Sequence, residues 1–404
     1  MTLECGGSTP PSIQLKWRLS KAKNPRHVNH LTDVGSLSRS TSSFQMNGGL
    51  RQAGALQVQT ESEFLMLRSM AFLLCGSIAL TAVAQDAKPT TVLGGIDNPC
   101  GVAVQAATGH VFIAAHSGVW RLDPKSGKAH AEIAGFPTDI YGKGPKYNIG
   151  PLGLAFWDDE HLIVGDGSRP DGDELVRIYK VGKDAPHADH PPIKEDAAVA
   201  TLGPIKASEE SAKGEGNFYG VASNGKSIFI TCNGDDTKGW IAKSTAANGK
   251  PGALKLSIAT KVATEVDAPV PVIFSLDGKD LVVGQMGEVS TPPGDSLLTI
   301  YDPETGKLKK NYKTGLNDIA GLAYSPKTKK LYATDYSWSD PKAGGLFRLD
   351  IDGDSIKAVK IASLDKPTAC AFDKNGVLYV AVFGTVAEGS DKPAGSLVKF
   401  DSGL

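Results

Sequence analysis

Residues 317–350 read NDIAGLAYSPKTKKLYATDYSWSDPKAGGLFRLD. GLAYS and LYATD are β-branched and aromatic runs joined by the polar turn Ser325-Pro-Lys-Thr-Lys-Lys330, and LFRLD follows a Pro/Gly-rich loop. Each run has strand composition and each junction has turn composition, so the segment predicts three consecutive antiparallel strands. The same order returns five more times. Aligned on the first strand, the equivalent positions are Gly101, Gly153, Gly220, Pro271, Gly321 and Ala369, with successive spacings of 52, 67, 51, 50 and 48 residues. First strands read CGVAV, LGLAF, YGVAS, PVIFS, AGLAY and ACAFD; second strands VFIAA, LIVGD, IFITC, LVVGQ, LYATD and LYVAV; third strands VWRLD, LVRIY, WIAKS, LLTIY, LFRLD and LVKFD. A shorter fourth segment follows, such as KAHAEIAG or SIKAVKIA.

Six units of about 50 residues, each too small to bury its own faces, predict an all-β fold: a six-bladed β-propeller of four-stranded blades. After the last third strand the chain has no room for a fourth, whereas PTTVLG at 89–94 precedes the first unit with the right composition. The expected closure is therefore an N-terminal strand in the last blade, which leaves the ring no open edge. The one long spacing contains a Pro/His/Lys/Glu-rich insertion at 182–216, with a strand expected over Asp196 to Leu202.

Composition agrees with this reading. The 404 residues are 41% apolar with 46 glycines, enough for a large core and many turns. Residues 1–85 hold eight of the 43 basic and four of the 44 acidic residues, so the remainder carries a net charge of about −5. A mildly acidic body without basic clusters excludes nucleic acid and anionic membrane as expected partners.

The segment 1–65 is Ser/Gly/Asn/Gln-rich without a period, and disorder is expected there. Met66-Leu-Arg68-Ser-Met70, the apolar run Ala71–Val83 and the small residues of Ala82-Val83-Ala84 then form a signal-peptide pattern over 66–84. Export to a periplasmic or extracellular space is expected, with Gln85 as the first mature residue and Met66 or Met70 as the working start. The apolar run is too short to span a bilayer comfortably, and Leu74 before Cys75 is too bulky for lipoprotein processing. Cys100, Cys232 and Cys370 remain downstream, an odd number. Cys370 shares a column with Val102, Leu154, Val221, Val272 and Leu322 and reads as core. Buried free thiols are expected, with a Cys100–Cys370 disulfide across the ring closure as the alternative.

The repeats resemble six-bladed propellers of the NHL type and, more distantly, the gluconolactonase and strictosidine-synthase-like groups. The resemblance covers residues 89–404 and rests on Pro-x-Gly-(Val/Leu)-Ala before the first strand and Leu-Tyr-Val-Ala in the second. It implies fold more than chemistry, because propellers host hydrolases, sensors and scaffolds alike.

In each blade the start of the first strand and the end of the second share one face around the central channel. Second-strand ends bring His116, Asp166, Asn233, Gln285, Asp335 and Tyr336 there; first-strand starts bring Asp97, Asn98, Asn148, Asn217, Asn317 and Asp318. Carboxylates and amides aimed at one mouth suit a hard cation such as calcium, or a sugar. The competing reading is that they cap turns. Ser-Pro-Gly-containing loops at 168–172, 290–294, 339–344 and 390–395, with segments 136–150 and 204–216, elaborate the same face. Tyr147, Tyr219, Tyr336 and Trp338 are stacking candidates. The expected function is recognition of a small molecule, a glycan or a protein by a monomer without an obligatory cofactor. The alternative is a divalent-metal lactonase or sugar-ester hydrolase, as the gluconolactonase resemblance implies. Asp97 stands near that family's acidic position, but Leu152, Tyr219 and Ala320 occupy its asparagine positions, so no metal ligand is carried over.

Asp350-Ile-Asp352-Gly-Asp354 reads as a hairpin turn, since Ser355 and Ile361 stand where a calcium loop needs Gly and Glu. His187 and His190 read as solvated loop. No nucleophile elbow, HExxH or phosphate loop is present.

Overall fold

The computed structural model describes residues 87–142, 146–183, 191–288 and 293–404. The disorder reading at 1–65, the signal-peptide reading at 66–84 with Gln85 as the mature start, His187, His190 and the 289–292 part of one loop lie outside the described residues. Six antiparallel sheets follow one another around an axis. In blade 5, which contains the diagnostic stretch, Ile319–Tyr324, Leu331–Asp335, Gly345–Asp352 and Ser355–Ser363 pair in chain order. Blade 6 is Pro367–Phe372, Leu378–Val382 and Gly395–Phe400, and its outer strand is Thr90–Ile96, in register from Thr90 opposite Lys399 to Ile96 opposite Gly395. The expected closure by an N-terminal strand is thus the observed one, and it covers the backbone groups that the Gly395–Phe400 edge would otherwise expose.

The insertion differs from expectation. Its strand is only Ala200–Leu202, because Glu195–Ala197 forms a 3-10 turn whose Glu195 is fixed by Arg169 and Arg177 and whose Glu195 carbonyl accepts the Tyr179 hydroxyl at 2.7 Å. Just upstream, Ile193–Lys194 adds in parallel to the outer strand of blade 1, Lys128–Ala134. The insertion therefore ties blade 1 to blade 2.

Six apolar clusters each bridge two neighbouring blades. One of them, between blades 1 and 2, joins Phe112, Ala114 and Ile133 to Leu154, Leu162 and Val164. Another, between blades 6 and 1, joins Tyr379, Ala381 and Leu397 to Val102, Val111 and Ile113 across the closure. Burial occurs between sheets and not within one, so the ring is the cooperative unit. Nearest the axis the first strands are packed backbone to backbone. A Cβ added at Gly101, Gly153 or Gly220 would strike the carbonyl of Leu152, Tyr219 or Val270 on the next blade, which explains the repeated glycine. Cys100, Cys232 and Cys370 are buried and free, as the core reading anticipated.

Candidate functional site

The starts of the first strands and the ends of the second do meet on one face, through a repeated backbone bond. His116 N–H donates to the Asp97 carbonyl at 2.9 Å, Asn233 to Gly216 at 3.0 Å, Tyr336 to Asp318 at 2.8 Å and Phe383 to Lys366 at 2.9 Å. At the centre of that face the channel is closed by an apolar plug. Cys100, Leu152, Val270 and Ala320 supply the strand starts, and Tyr336 and Phe383 the strand ends. Tyr147, from the hairpin Asp139–Tyr141/Tyr147–Ile149, and Trp338 pack on it. The four rings touch edge to face or tilted, with centroids 5.6 Å apart for Tyr147–Trp338, 4.8 Å for Tyr147–Phe383, 5.5 Å for Tyr336–Trp338 and 5.9 Å for Tyr336–Phe383. Such contacts favour a rigid platform. Tyr336 and Phe383 are buried, whereas Tyr147 and Trp338 keep part of their surface in solvent, and the Lys366 ammonium lies 5.9 Å from the Tyr147 ring centre.

Beneath the plug a cavity of about 400 Å³ runs along the first strands to Leu276, Tyr324 and Phe372. Its walls are mostly apolar, with Ser275 and Cys370 among them, and Tyr219 both lines it and packs against the plug.

The polar candidates stand around the plug in two groups. Asp166, Gln285 and Asp335 are withdrawn from solvent. Asp166 accepts from Arg169 at 2.5 Å and Arg177 at 3.0 Å, and from Ser168 N–H at 2.9 Å. Gln285 donates to Thr264 Oγ1 at 2.9 Å and the Val266 carbonyl at 2.7 Å, and its Oε1 accepts from Tyr301. Asp335 accepts the N–H groups of Asn317 and Asp318 at 3.1 and 2.8 Å. Burial raises its carboxyl above the ordinary range and lifts that of Asp318 to about 6.

The second group keeps partial exposure. Asn148 is exposed, and His116, Asn217, Asn233 and Asn317 are half-buried. Asn217 Nδ2 reaches Asp171 at 3.1 Å, Asn233 Nδ2 the Pro269 carbonyl at 3.0 Å and Asn317 Nδ2 Ser337 Oγ at 2.8 Å. Asn98 Nδ2 donates to the Asn148 carbonyl at 2.9 Å. His116 is held from both ring nitrogens: Nδ1 lies 2.6 Å from Asp97 Oδ2 and Nε2 lies 2.8 Å from Thr138 Oγ1. Thr138 lies in a loop and carries no sequence signal that singles it out, whereas Phe383 follows the sixth second strand as Tyr336 follows the fifth, a position the repeat alignment marks.

Asp352 pairs with Ser355 across a two-residue turn, which is the hairpin expected there. Among the described residues no group of three His, Cys, Asp or Glu side chains is arranged to hold a metal ion, and no helix is long and apolar enough to cross a membrane.

No protein-family model and no curated protein matches the sequence. Solved structures do match the fold. A glucose dehydrogenase superposes with a TM-score of 0.52 at 13% identity over 78% of this chain and 100% of its own. The soluble aldose sugar dehydrogenase of Escherichia coli, in the apo-form, gives 0.51 at 14% identity over 78% and 99%. A luciferin-regenerating enzyme gives 0.50 at 10% identity over 78% and 96%. At such identities the likeness carries architecture and no activity. The chain is a six-bladed β-propeller similar in fold to these sugar dehydrogenases and to the luciferin-regenerating enzyme.

Proposed function

We propose that this propeller is an exported binding module that takes a neutral glycan on its loop-rich face. The observation that carries the reading is the platform of Tyr147 and Trp338, braced from below by Tyr336 and Phe383 and ringed by Asn148, Asn217, Asn233, Asn317 and His116. A sugar offers an apolar ring face to an aromatic surface and hydroxyls to surrounding amides, so this pairing of surfaces suits it better than a charged or purely apolar ligand. The apolar channel lies behind the plug and is not needed for this binding. Export is supported by the basic start, apolar run and Ala82-Val83-Ala84 pattern, and N-terminal sequencing of secreted material should begin at Gln85. On a glycan array the protein should show defined hits, and Trp338→Ala should weaken them by roughly tenfold, the loss of about one stacking contact. An array without hits sinks the reading.

A second reading, hydrolysis of a lactone or sugar ester at the same mouth, is favoured by one observation: Asp97 orients His116 toward Thr138 as an orienting acid does a general base. His116→Ala would then abolish turnover of a panel of lactones, and absence of turnover by the wild type removes this reading.

A further inference from the structure

Buried carboxylates in this ring are compensated with two exceptions, Glu215, whose Oε1 has no partner, and Glu174. Asp166 has two arginines, Glu132 has Arg121 at 3.3 Å and His130 at 3.0 Å, and Asp267 has Lys261 at 2.7 Å. Asp235 and Asp335 are served by backbone N–H groups. Glu174, fully buried, accepts only the Asn217 N–H, at 2.6 Å on Oε2, and its Oε1 has no partner. The charges acting on it are Asp166, Asp171 and Asp139, all of its own sign. An uncompensated buried carboxylate among carboxylates is an arrangement that folding does not tolerate without a counter-charge or a proton.

The surroundings are those of an oxygen-donor site. Asp171 Oδ1 meets the Asn217 side chain at 3.1 Å. A Cβ at Gly216 would fall on Glu174 Oε2 and 3.1 Å from Asp171 Oδ1; one at Gly234 would lie 3.0 Å from Asp171 Oδ1 and 2.9 Å from the Gly214 carbonyl. Both acidic side chains thus converge over bare backbone, where only glycine leaves space. We propose that Asp171, Glu174 and the Asn217 side chain, completed by carbonyls of the Gly214–Gly216 segment and water, bind one calcium ion at the seam of blades 2 and 3. Calcium accepts six to eight oxygens in irregular geometry, whereas magnesium needs a near-octahedral set and zinc prefers nitrogen or sulfur. Two carboxylates are all that the site contributes, in keeping with the absence of any three-membered His/Cys/Asp/Glu group among the described residues. The ion would pin the 204–216 segment to the rim, independently of whether a glycan binds the platform.

The test uses chelator-stripped protein and calcium chloride alone. The thermal midpoint should rise by several degrees with millimolar calcium, and titration calorimetry should show one ion per chain. Glu174→Gln mimics the protonated side chain and should fold, yet lose both responses; Asp171→Asn should weaken binding at least tenfold; Glu304→Gln, on an exposed turn, should change neither. A wild type without a calcium response, or a Glu174→Gln variant that responds like the wild type, overturns the proposal.

Discussion

Asp166 and Glu174 are eight residues apart, equally buried, and opposite in circumstance. Asp166 sits between Arg169 and Arg177, both of which also hold Glu195, so a four-charge network locks the start of the insertion to blade 2. Asp166→Ala would leave two guanidinium groups sharing Glu195 beside a cavity and should cost up to about 3 kcal/mol in urea denaturation. That loss should appear with no change in which ligands bind the platform. The unpaired acids make a pH prediction of definite sign. In the folded state Glu174 titrates at about 9 and Glu215 at about 7, against an ordinary 4.5, and Asp318 at about 6 against 3.8. Burial is the first cause for each. The native state therefore keeps protons that the unfolded chain has released, and calcium-free protein should lose stability steadily from about pH 4 to pH 9. Glu174→Gln should flatten the upper part of that slope between pH 7 and 9. A flat wild-type midpoint across this range would contradict the assignment of uncompensated burial.

At the scale of elements the first strands are the most constrained, because they approach one another without side chains between them. The glycine at the middle of blades 1, 2 and 3 faces a carbonyl of the next blade, so Gly153→Ala should destabilise by about 1–3 kcal/mol even though alanine is small and apolar. Alanine already stands at the equivalent Ala369, so Ala369→Gly should cost much less. Chemical denaturation of the pair compares them directly. The same glycine column that made the repeat visible in the sequence is thus a statement about distance in space. The insertion was less legible. Its composition announces a loop, but nothing local says that Glu195 will be captured by two arginines of another strand, and that capture turns the expected strand start into a 3-10 turn.

For the molecule as a whole, six interfaces of similar kind arranged in a ring predict one cooperative unfolding transition. Removing residues 87–96 should abolish it, because the edge of Gly395–Phe400 opens and Ile96, Val92 and Leu93 leave the cluster shared by blades 6 and 1. A truncated chain that still melts in a single sharp step would show that the closing strand is dispensable. The polar residues that share the mouth fall into two functional populations only at this scale. His116, Asn148, Asn217, Asn233 and Asn317 remain partly open to solvent, while Asp166, Gln285 and Asp335 are consumed by partners.

Fold, blade count, the position of the closing strand and the sharing of one face by two sets of strand termini were all determined by the linear order of residues. Repetition, turn chemistry and strand alternation are local properties, and a ring of repeats has few other ways to bury them. The apolar plug, the aromatic platform that gathers Tyr147 beside Trp338, the exhaustion of Asp166 by arginines and the isolation of Glu174 were decided by the tertiary structure alone. Each depends on which side chains from distant blades meet at the axis or at a seam, and pair energies of that kind leave no trace in the spacing of any single repeat.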